Sequence, residues 1–213
     1  MEIKNIKAVY FVGIGGIGMS ALARYFKVMG YEVAGYDRTP SPLTRKMTDE
    51  EGFEITYEDE VKNIREVFRD KEHTLVVYTP AVPKENRILS FFRDNGYALH
   101  KRAEVLGFLS RSKKALCVAG THGKTTTTTM LAFLLHHSHV GCSAFLGGIS
   151  SNFGTNLLID KDSDYVVIEA DEYDRSFLHL HPEIAVITAM DADHLDIYGT
   201  RAVSYTHLRA HET

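Results

Sequence analysis

Short β-branched or aromatic runs alternate with longer amphipathic ones, and this alternation constrains the fold more than any other feature of the chain. Ala8 to Val12 precedes the helical run Ser20 to Met29, then Glu32 to Tyr36 follows, and later Thr74 to Thr79 precedes Lys84 to Asn95. Strands that pair in parallel need a crossover, and an amphipathic helix supplies it, so the pattern predicts an α/β architecture with parallel sheets. Gly30 and Gly96 stand just past two of the helical runs, where a residue free to turn left-handed ends a helix.

A polar break, Ser110-Arg-Ser-Lys-Lys114, separates this series from a second one. There a strand to Ala119 leads through a turn into a helix ending near His137. A strand near Ser143 to Leu146, a glycine-rich loop, and strands at Tyr165 to Ile168 and Ile184 to Thr188 follow. We therefore expect one domain over residues 1–107 and the first part of another over 108–201. Residues 202–213 show neither periodicity nor a packing face, and read as a foreign tail.

At 213 residues the chain is long enough for two small domains with real cores. Its 44% hydrophobic and 24% charged residues are ordinary globular values. With 24 Lys and Arg against 28 Asp and Glu the net charge is −4, which gives no basic field for nucleic acid. Two cysteines, Cys117 and Cys142, in no CxxC spacing argue against a disulfide framework or a zinc site and fit a reducing, cytoplasmic setting. No apolar run approaches the eighteen or so residues needed to span a bilayer, so no membrane association is expected.

Gly13-Ile-Gly15-Gly16-Ile-Gly18 lies between a strand and a helix, the context in which glycines let the backbone approach a pyrophosphate at a helix N-terminus. Asp37, at the end of the second strand, stands where a dinucleotide fold places its ribose-binding acid. A dinucleotide, another nucleotide or merely a tight turn would each account for this loop, and aspartate also ends strands simply by capping the next turn.

Gly120-Thr121-His122-Gly123-Lys124-Thr125-Thr126 is a second loop between strand and helix. Its spacing is the shorter GxxGKT form, because position 118 is valine where GxxxxGKT requires glycine. Backbone amides and a lysine there suit a triphosphate, and a hydroxyl suits magnesium. Two strands run into acids: Glu169-Ala-Asp171-Glu172 after the first, Asp191-Ala-Asp193-His194-Leu-Asp196 after the second. Acids at neighbouring strand ends beside a phosphate loop are the arrangement of a metal site. Each carboxylate taken singly is equally well a solvated acid or a helix cap. His136, His137 and His139 follow a helix C-terminus, where positive charge is favoured, and Cys117 reads as core filler.

Four motifs in order, Gly13-IGGIGMSALA23, Arg102-Ala-Glu104, GTHGKTT, and EADEYDRSF with DADHLD, resemble the Mur ligases of peptidoglycan synthesis over about residues 6 to 200. The match is closest to the members that add L-alanine. The resemblance implies a three-domain enzyme, of which this chain would hold a Rossmann-like N-terminal domain and an incomplete P-loop α/β ATPase domain. It implies that ATP phosphorylates the carboxylate of UDP-N-acetylmuramate and that the amine of L-alanine attacks the acyl phosphate. By the same resemblance Gly13, Gly15, Gly16, Gly18 and Asp37 would bind the UDP-sugar, and Gly120 through Thr126 the ATP. Lys124 would reach the outer phosphates, and Thr125, Glu169 and His194 would hold Mg2+. Where the family usually reads Thr-Asn before the second acid cluster, this chain has Thr188-Ala189.

Two other readings rest on the residues alone. An NAD(P)-dependent oxidoreductase would use GIGGIG and Asp37 but leaves the GKT loop and acid clusters unexplained. A non-catalytic nucleotide-binding protein is allowed by the loops without a feature in its favour. The stretch from Val203 to Thr213 resembles a translated sequencing adapter, so the expectation is that the chain as given is an inactive fragment.

Overall fold

A computed structural model describes residues 5–170 and 177–189. The chain divides into two compact units, Met1–Arg102 and Ala103–Thr213. The break falls a few residues before the expected one at 107, because the helix spanning it belongs with the second unit: Gly107 in that helix lies against the backbone carbonyl of His179, with no room for a Cβ between them.

The first unit contains β1 (Ala8–Val12), α1 (Ile17–Val28), β2 (Glu32–Tyr36), α2 (Pro42–Asp49), β3 (Glu54–Thr56), two single-turn 3-10 segments, β4 (Thr74–Tyr78), α3 (Arg87–Asp94) and β5 (Ala98–Lys101). Its sheet has the order β3-β2-β1-β4-β5 and all four pairings are parallel. β1 is central, so both faces are covered and all five of its residues are buried, which explains an unbroken apolar run in place of alternation. Tyr10 anchors one face, its ring 5.4 Å from Phe68 and 5.0 Å from Phe92. α1 and α3 end as their glycines foretell: Gly30 has φ +92° and Gly96 φ +74°.

α2 and β3 fall in a stretch from which no element was expected. α2 is short and begins with a capping box in which Ser41 accepts from the Thr44 amide at 3.2 Å and Thr44 accepts from the Ser41 amide at 2.9 Å. β3 is a three-residue edge strand with no fully buried position, which leaves no hydrophobic pattern to read.

The second unit follows from α4 (Arg102–Ser112) into β6 (Lys114–Ala119), α5 (Lys124–His136), β7 (Ser143–Ser150), β8 (Thr155–Leu158), β9 (Tyr165–Glu169) and β10 (Ile184–Ile187). Strand order is β10-β6-β9-β7-β8, parallel except for β7 with β8. The glycine-rich loop expected after Leu146 is instead the continuation of β7, which turns back through Gly154 at φ +64° into β8. Glycine disfavours a strand interior, but pairing with β8 outweighs that preference here. Cys117 on β6 is buried, and burial pushes its thiol up to about 12; Cys142 is pushed up to about 11 by burial and then by Asp160. Among the described residues no helix is long and apolar enough to cross a membrane.

Candidate functional site

The two glycine loops lie beyond the C-terminal ends of β1 and β6, the edge at which parallel α/β sheets bind ligands.

In the first unit Gly13 has φ +90°, and a Cβ on it would overlap the methyl of Thr79. The loop is fastened to the end of β2. Gly13 and Ile14 donate their amides to the carbonyl of Tyr36 at 2.8 and 3.0 Å, and Gly15 donates to Oδ2 of Asp37 at 2.6 Å. α1 then starts at Gly16 with no side-chain cap and no acid in its first turn. A cleft of about 630 Å³ opens beside it, lined by Gly13, Gly16, Tyr36, Asp37, Thr79 and Asn86 among others. α3 faces the same cleft from Asn86, but its first amides are taken: Asp59 accepts from Arg87 at 2.9 Å and Ile88 at 3.0 Å, and Asn86 accepts from Leu89 at 2.8 Å. An anion in this cleft is therefore directed toward α1.

The structure thus brings Gly13, Gly16 and Asp37 together at one cleft. Neither Gly15 nor Gly18 lines it: Gly15 is tied to it through its bond to Asp37, and a Cβ on Gly18 would run into the guanidinium of Arg102.

In the second unit Gly120 (φ +126°) and Gly123 (φ +80°) frame the loop, and Gly123 is the left-handed N-cap of α5. A Cβ on Gly120 would come within 2.8 Å of the Ala189 backbone. Lys124 opens the helix and donates from Nζ to the carbonyl of Gly120 at 2.8 Å. Thr125 donates its hydroxyl to Oε1 of Glu169 at 2.9 Å, and Oε2 of Glu169 accepts the Gly147 amide at 2.7 Å. Thr188 donates to the carbonyl of Ala119 at 3.1 Å and bonds that of His122, while Ala189 accepts the Thr121 amide at 3.0 Å. Position 189, where the chain departs from the usual motif, thus touches the loop through its backbone.

Thr126 is exposed on the first turn of α5 beside Thr125. Asp171, Glu172, Asp191, Asp193, His194 and Asp196 lie outside the described residues. The hydroxyl of Thr125 and the carboxylate of Glu169 are hard oxygen donors already side by side, and they fit magnesium, which takes few protein ligands when phosphates and water complete its shell. Among the described residues no three His, Cys, Asp or Glu side chains converge. His136 and His137 sit at the end of α5, where His137 pairs through Nδ1 with the Phe133 carbonyl at 2.8 Å. Two contributors carry no sequence signal as ligands: Gly147, in a stretch read as loop, and Thr188, at a strand end.

Comparison with known proteins places this geometry. The pattern described as the Mur ligase family, catalytic domain, matches residues 8–114, and that of the Mur ligase middle domain matches residues 118–206. The chain belongs to the Mur ligase family. The UDP-N-acetylmuramate--L-alanine ligase of Phocaeicola vulgatus is 62% identical over 201 residues, covering 94% of this chain and 44% of that protein. The enzyme of the same name from Porphyromonas gingivalis is 58% identical over 195 residues, 92% of this chain and 42% of that one. This Mur ligase chain thus spans under half the length of the curated relatives it matches. Among solved structures, the UDP-N-acetylmuramate-alanine ligase of Thermotoga maritima superposes with a TM-score of 0.81 at 32% identity, over 95% of this chain and 46% of that one. The UDP-N-acetylmuramate:L-alanyl-gamma-D-glutamyl-meso-diaminopimelate ligase of Neisseria meningitides gives 0.82 at 26% identity, over 96% and 67%.

Proposed function

We propose that this chain carries the sugar-nucleotide and ATP portion of a cytoplasmic ligase that joins L-alanine to the carboxylate of UDP-N-acetylmuramate, an early step of peptidoglycan precursor synthesis. The observation that supports it best is the second loop: two positive-φ glycines, a lysine opening the helix, and a carboxylate on β9 hydrogen-bonded to the next threonine. That is a P-loop ATPase constellation. The relatives' names supply the acceptor, and the uncapped start of α1 beside an open cleft suits the pyrophosphate of a UDP-sugar.

In the reaction a muramoyl carboxylate oxygen attacks the γ-phosphorus of ATP, the bond to the β-phosphate oxygen breaks, and ADP leaves. The amine of L-alanine then attacks the acyl phosphate carbonyl, phosphate departs and the amine sheds its proton, leaving an amide. The obstacle is repulsion between a carboxylate and a triphosphate. Lys124, released from the Gly120 carbonyl, sets a positive charge on the outer phosphates, where fixed charge lowers the barrier most. Thr125 and Glu169 would hold the metal, with His194 as a further ligand. Magnesium bound there would supply charge neutralisation. Gly120 and Gly123 keep side chains out of the phosphate path, and Thr121, His122 and Thr126 complete the loop. Gly13, Gly15, Gly16 and Asp37 form the UDP-sugar site, and Gly18 makes room for Arg102 behind it.

Titration calorimetry with UDP-N-acetylmuramate, MgATP and NAD(P)H tests this directly. Binding of the first two and not the third is expected, and saturable NAD(P)H binding with no response to UDP-N-acetylmuramate would replace the ligase by an oxidoreductase. In the complete protein, phosphate release that requires UDP-N-acetylmuramate, L-alanine and MgATP together is the corresponding activity.

A further inference from the structure

β7 does not stay in register along its length. It pairs in parallel with β9 from Ser143 to Phe145, and its antiparallel ladder with β8 shifts between Phe145 and Ser150. Such an irregularity frees backbone groups from the ladder and re-aims them, and bulges of this kind concentrate beside functional sites. Here the Gly147 amide leaves the ladder and donates to Oε2 of Glu169 at 2.7 Å, while Oε1 of the same carboxylate accepts from Thr125. One carboxylate is held at both oxygens by two separate elements.

We infer that Gly147 is a positioning residue for the metal site: its amide, freed by the bulge, aims Glu169 at Thr125. The inference rests on the proposed role of Glu169 and Thr125 as magnesium ligands. A carboxylate alone at a strand end has several rotamers, and ordering it costs conformational entropy at the moment of metal binding. A backbone donor on one oxygen fixes the rotamer beforehand and leaves the other oxygen directed at the hydroxyl. Groups that orient a ligand in this way typically alter metal affinity by about 10- to 100-fold when lost.

The residue type at 147 follows from the same contact. A Cβ on Gly147 would fall on the carboxylate of Glu169, with no other atom among its nearest neighbours. The end of a flexible side chain moves more readily than backbone, so Gly147→Ala relocates the carboxylate and leaves the strand in place. Neither Gly147 nor its neighbour Gly148 has a positive φ, so alanine suits the backbone at both positions. Gly148 has nothing within 4 Å of a built Cβ and is the internal control.

The experiment is Mn2+ binding by this chain in the presence of a non-hydrolysable ATP analogue, followed by electron paramagnetic resonance. Analogue affinity without metal and far-UV circular dichroism are measured alongside for each variant. Gly147→Ala should weaken Mn2+ binding about 10-fold, Gly148→Ala by less than about two-fold, and Glu169→Gln at least as much as Gly147→Ala. Metal-free analogue affinity should be the same for the two glycine variants and a few-fold higher for Glu169→Gln, which takes a negative charge from beside the phosphates, and the dichroism spectrum should be the same throughout. If Glu169→Gln weakens Mn2+ binding and Gly147→Ala does not, the positioning role is overturned while the metal reading stands. Equal losses from Gly147→Ala and Gly148→Ala overturn it as well, because the effect is then general to the strand. If Glu169→Gln changes nothing, the metal assignment fails and the positioning role falls with it.

Discussion

The two glycine loops are built by the same device with a different balance of donors and acceptors. Each follows a buried strand, and each is strapped down by the end of the strand that pairs beside it: β2 for the first loop, β10 for the second. In the first, the strap presents acceptors, and the carbonyl of Tyr36 and the carboxylate of Asp37 take three successive amides. In the second, the strap takes one amide, that of Thr121 on the Ala189 carbonyl, but the Thr188 hydroxyl faces the carbonyls of Ala119 and His122, and Lys124 covers that of Gly120. A strap that consumes amides leaves an anion only the helix start, with a negative charge nearby. A strap that consumes carbonyls turns acceptors away from the anion, and a lysine follows. The first arrangement suits holding a diphosphate that does not react, the second suits a phosphate that must accumulate and lose charge.

The largest expected difference comes from Lys124. Charge-assisted hydrogen bonds contribute roughly 1.5–3 kcal/mol each, so Lys124→Ala should weaken MgATP binding about 10- to 100-fold. UDP-N-acetylmuramate affinity, which in the proposed reading depends on the other unit, should stay within about two-fold. Calorimetric titrations of the same preparation check both numbers, and a comparable loss for both ligands would mean that the loops are not functionally distinct.

Next is the backbone itself. Gly13→Ala places a side chain at φ +90° against Thr79 and should cost about 2 kcal/mol of unfolding free energy. Gly16 has φ −69°, and a Cβ there would sit 3.8 Å from Met19, an ordinary contact. The loss of glycine as N-cap and the gain from a stiffer unfolded chain nearly cancel, so Gly16→Ala should stay within about 0.5 kcal/mol. Urea denaturation curves of the pair measure the difference. Equal destabilisation would show that GxGxxG is needed as a unit and not position by position.

Thr188→Val removes the strap from the second loop alone. It leaves the carbonyls of Ala119 and His122 without this donor, a loss on the order of 1 kcal/mol, or roughly five-fold in MgATP affinity. An effect on UDP-N-acetylmuramate of the same size would contradict the local role.

Much of this was legible beforehand for definite reasons. β1, β2, β4, β6 and β9 are short apolar runs, and the two loops announce themselves because positive φ restricts a position to glycine whatever its surroundings. β3 and β8 went unread because they are short edge strands, β3 without a buried position and β8 with Asn156 and Leu157 buried side by side, so that neither shows an alternating pattern and both owe their state to pairing. The partners of the site were hidden more deeply. Thr188 acts on carbonyls contributed 66 and 69 residues earlier, and Gly147 acts through an amide that a register shift sets free. Neither relation has a spacing that a linear reading can detect.

The smallest expected effect has the opposite sign and probes the comparison most closely. Asp37 puts a full negative charge on the amide of Gly15, beside the start of α1 where an anion would bind. Replacing it by asparagine keeps a side-chain oxygen for Gly15 and removes the charge. Two charges several ångströms apart near a protein surface interact by about 1–3 kcal/mol before salt screening, and about a third of that survives at physiological ionic strength. Asp37→Asn should therefore strengthen the binding of inorganic diphosphate by a few-fold, and more at 20 mM salt than at 200 mM, since a Debye length grows as ions are withdrawn. UDP-N-acetylmuramate should gain less if, as proposed, the same carboxylate accepts from its ribose hydroxyl, since that bond weakens with the charge. Calorimetry at the two salt concentrations separates the cases. Weaker diphosphate binding in the variant would mean that Asp37 organises the loop more than it opposes the ligand, and the two straps would then differ in geometry but not in purpose.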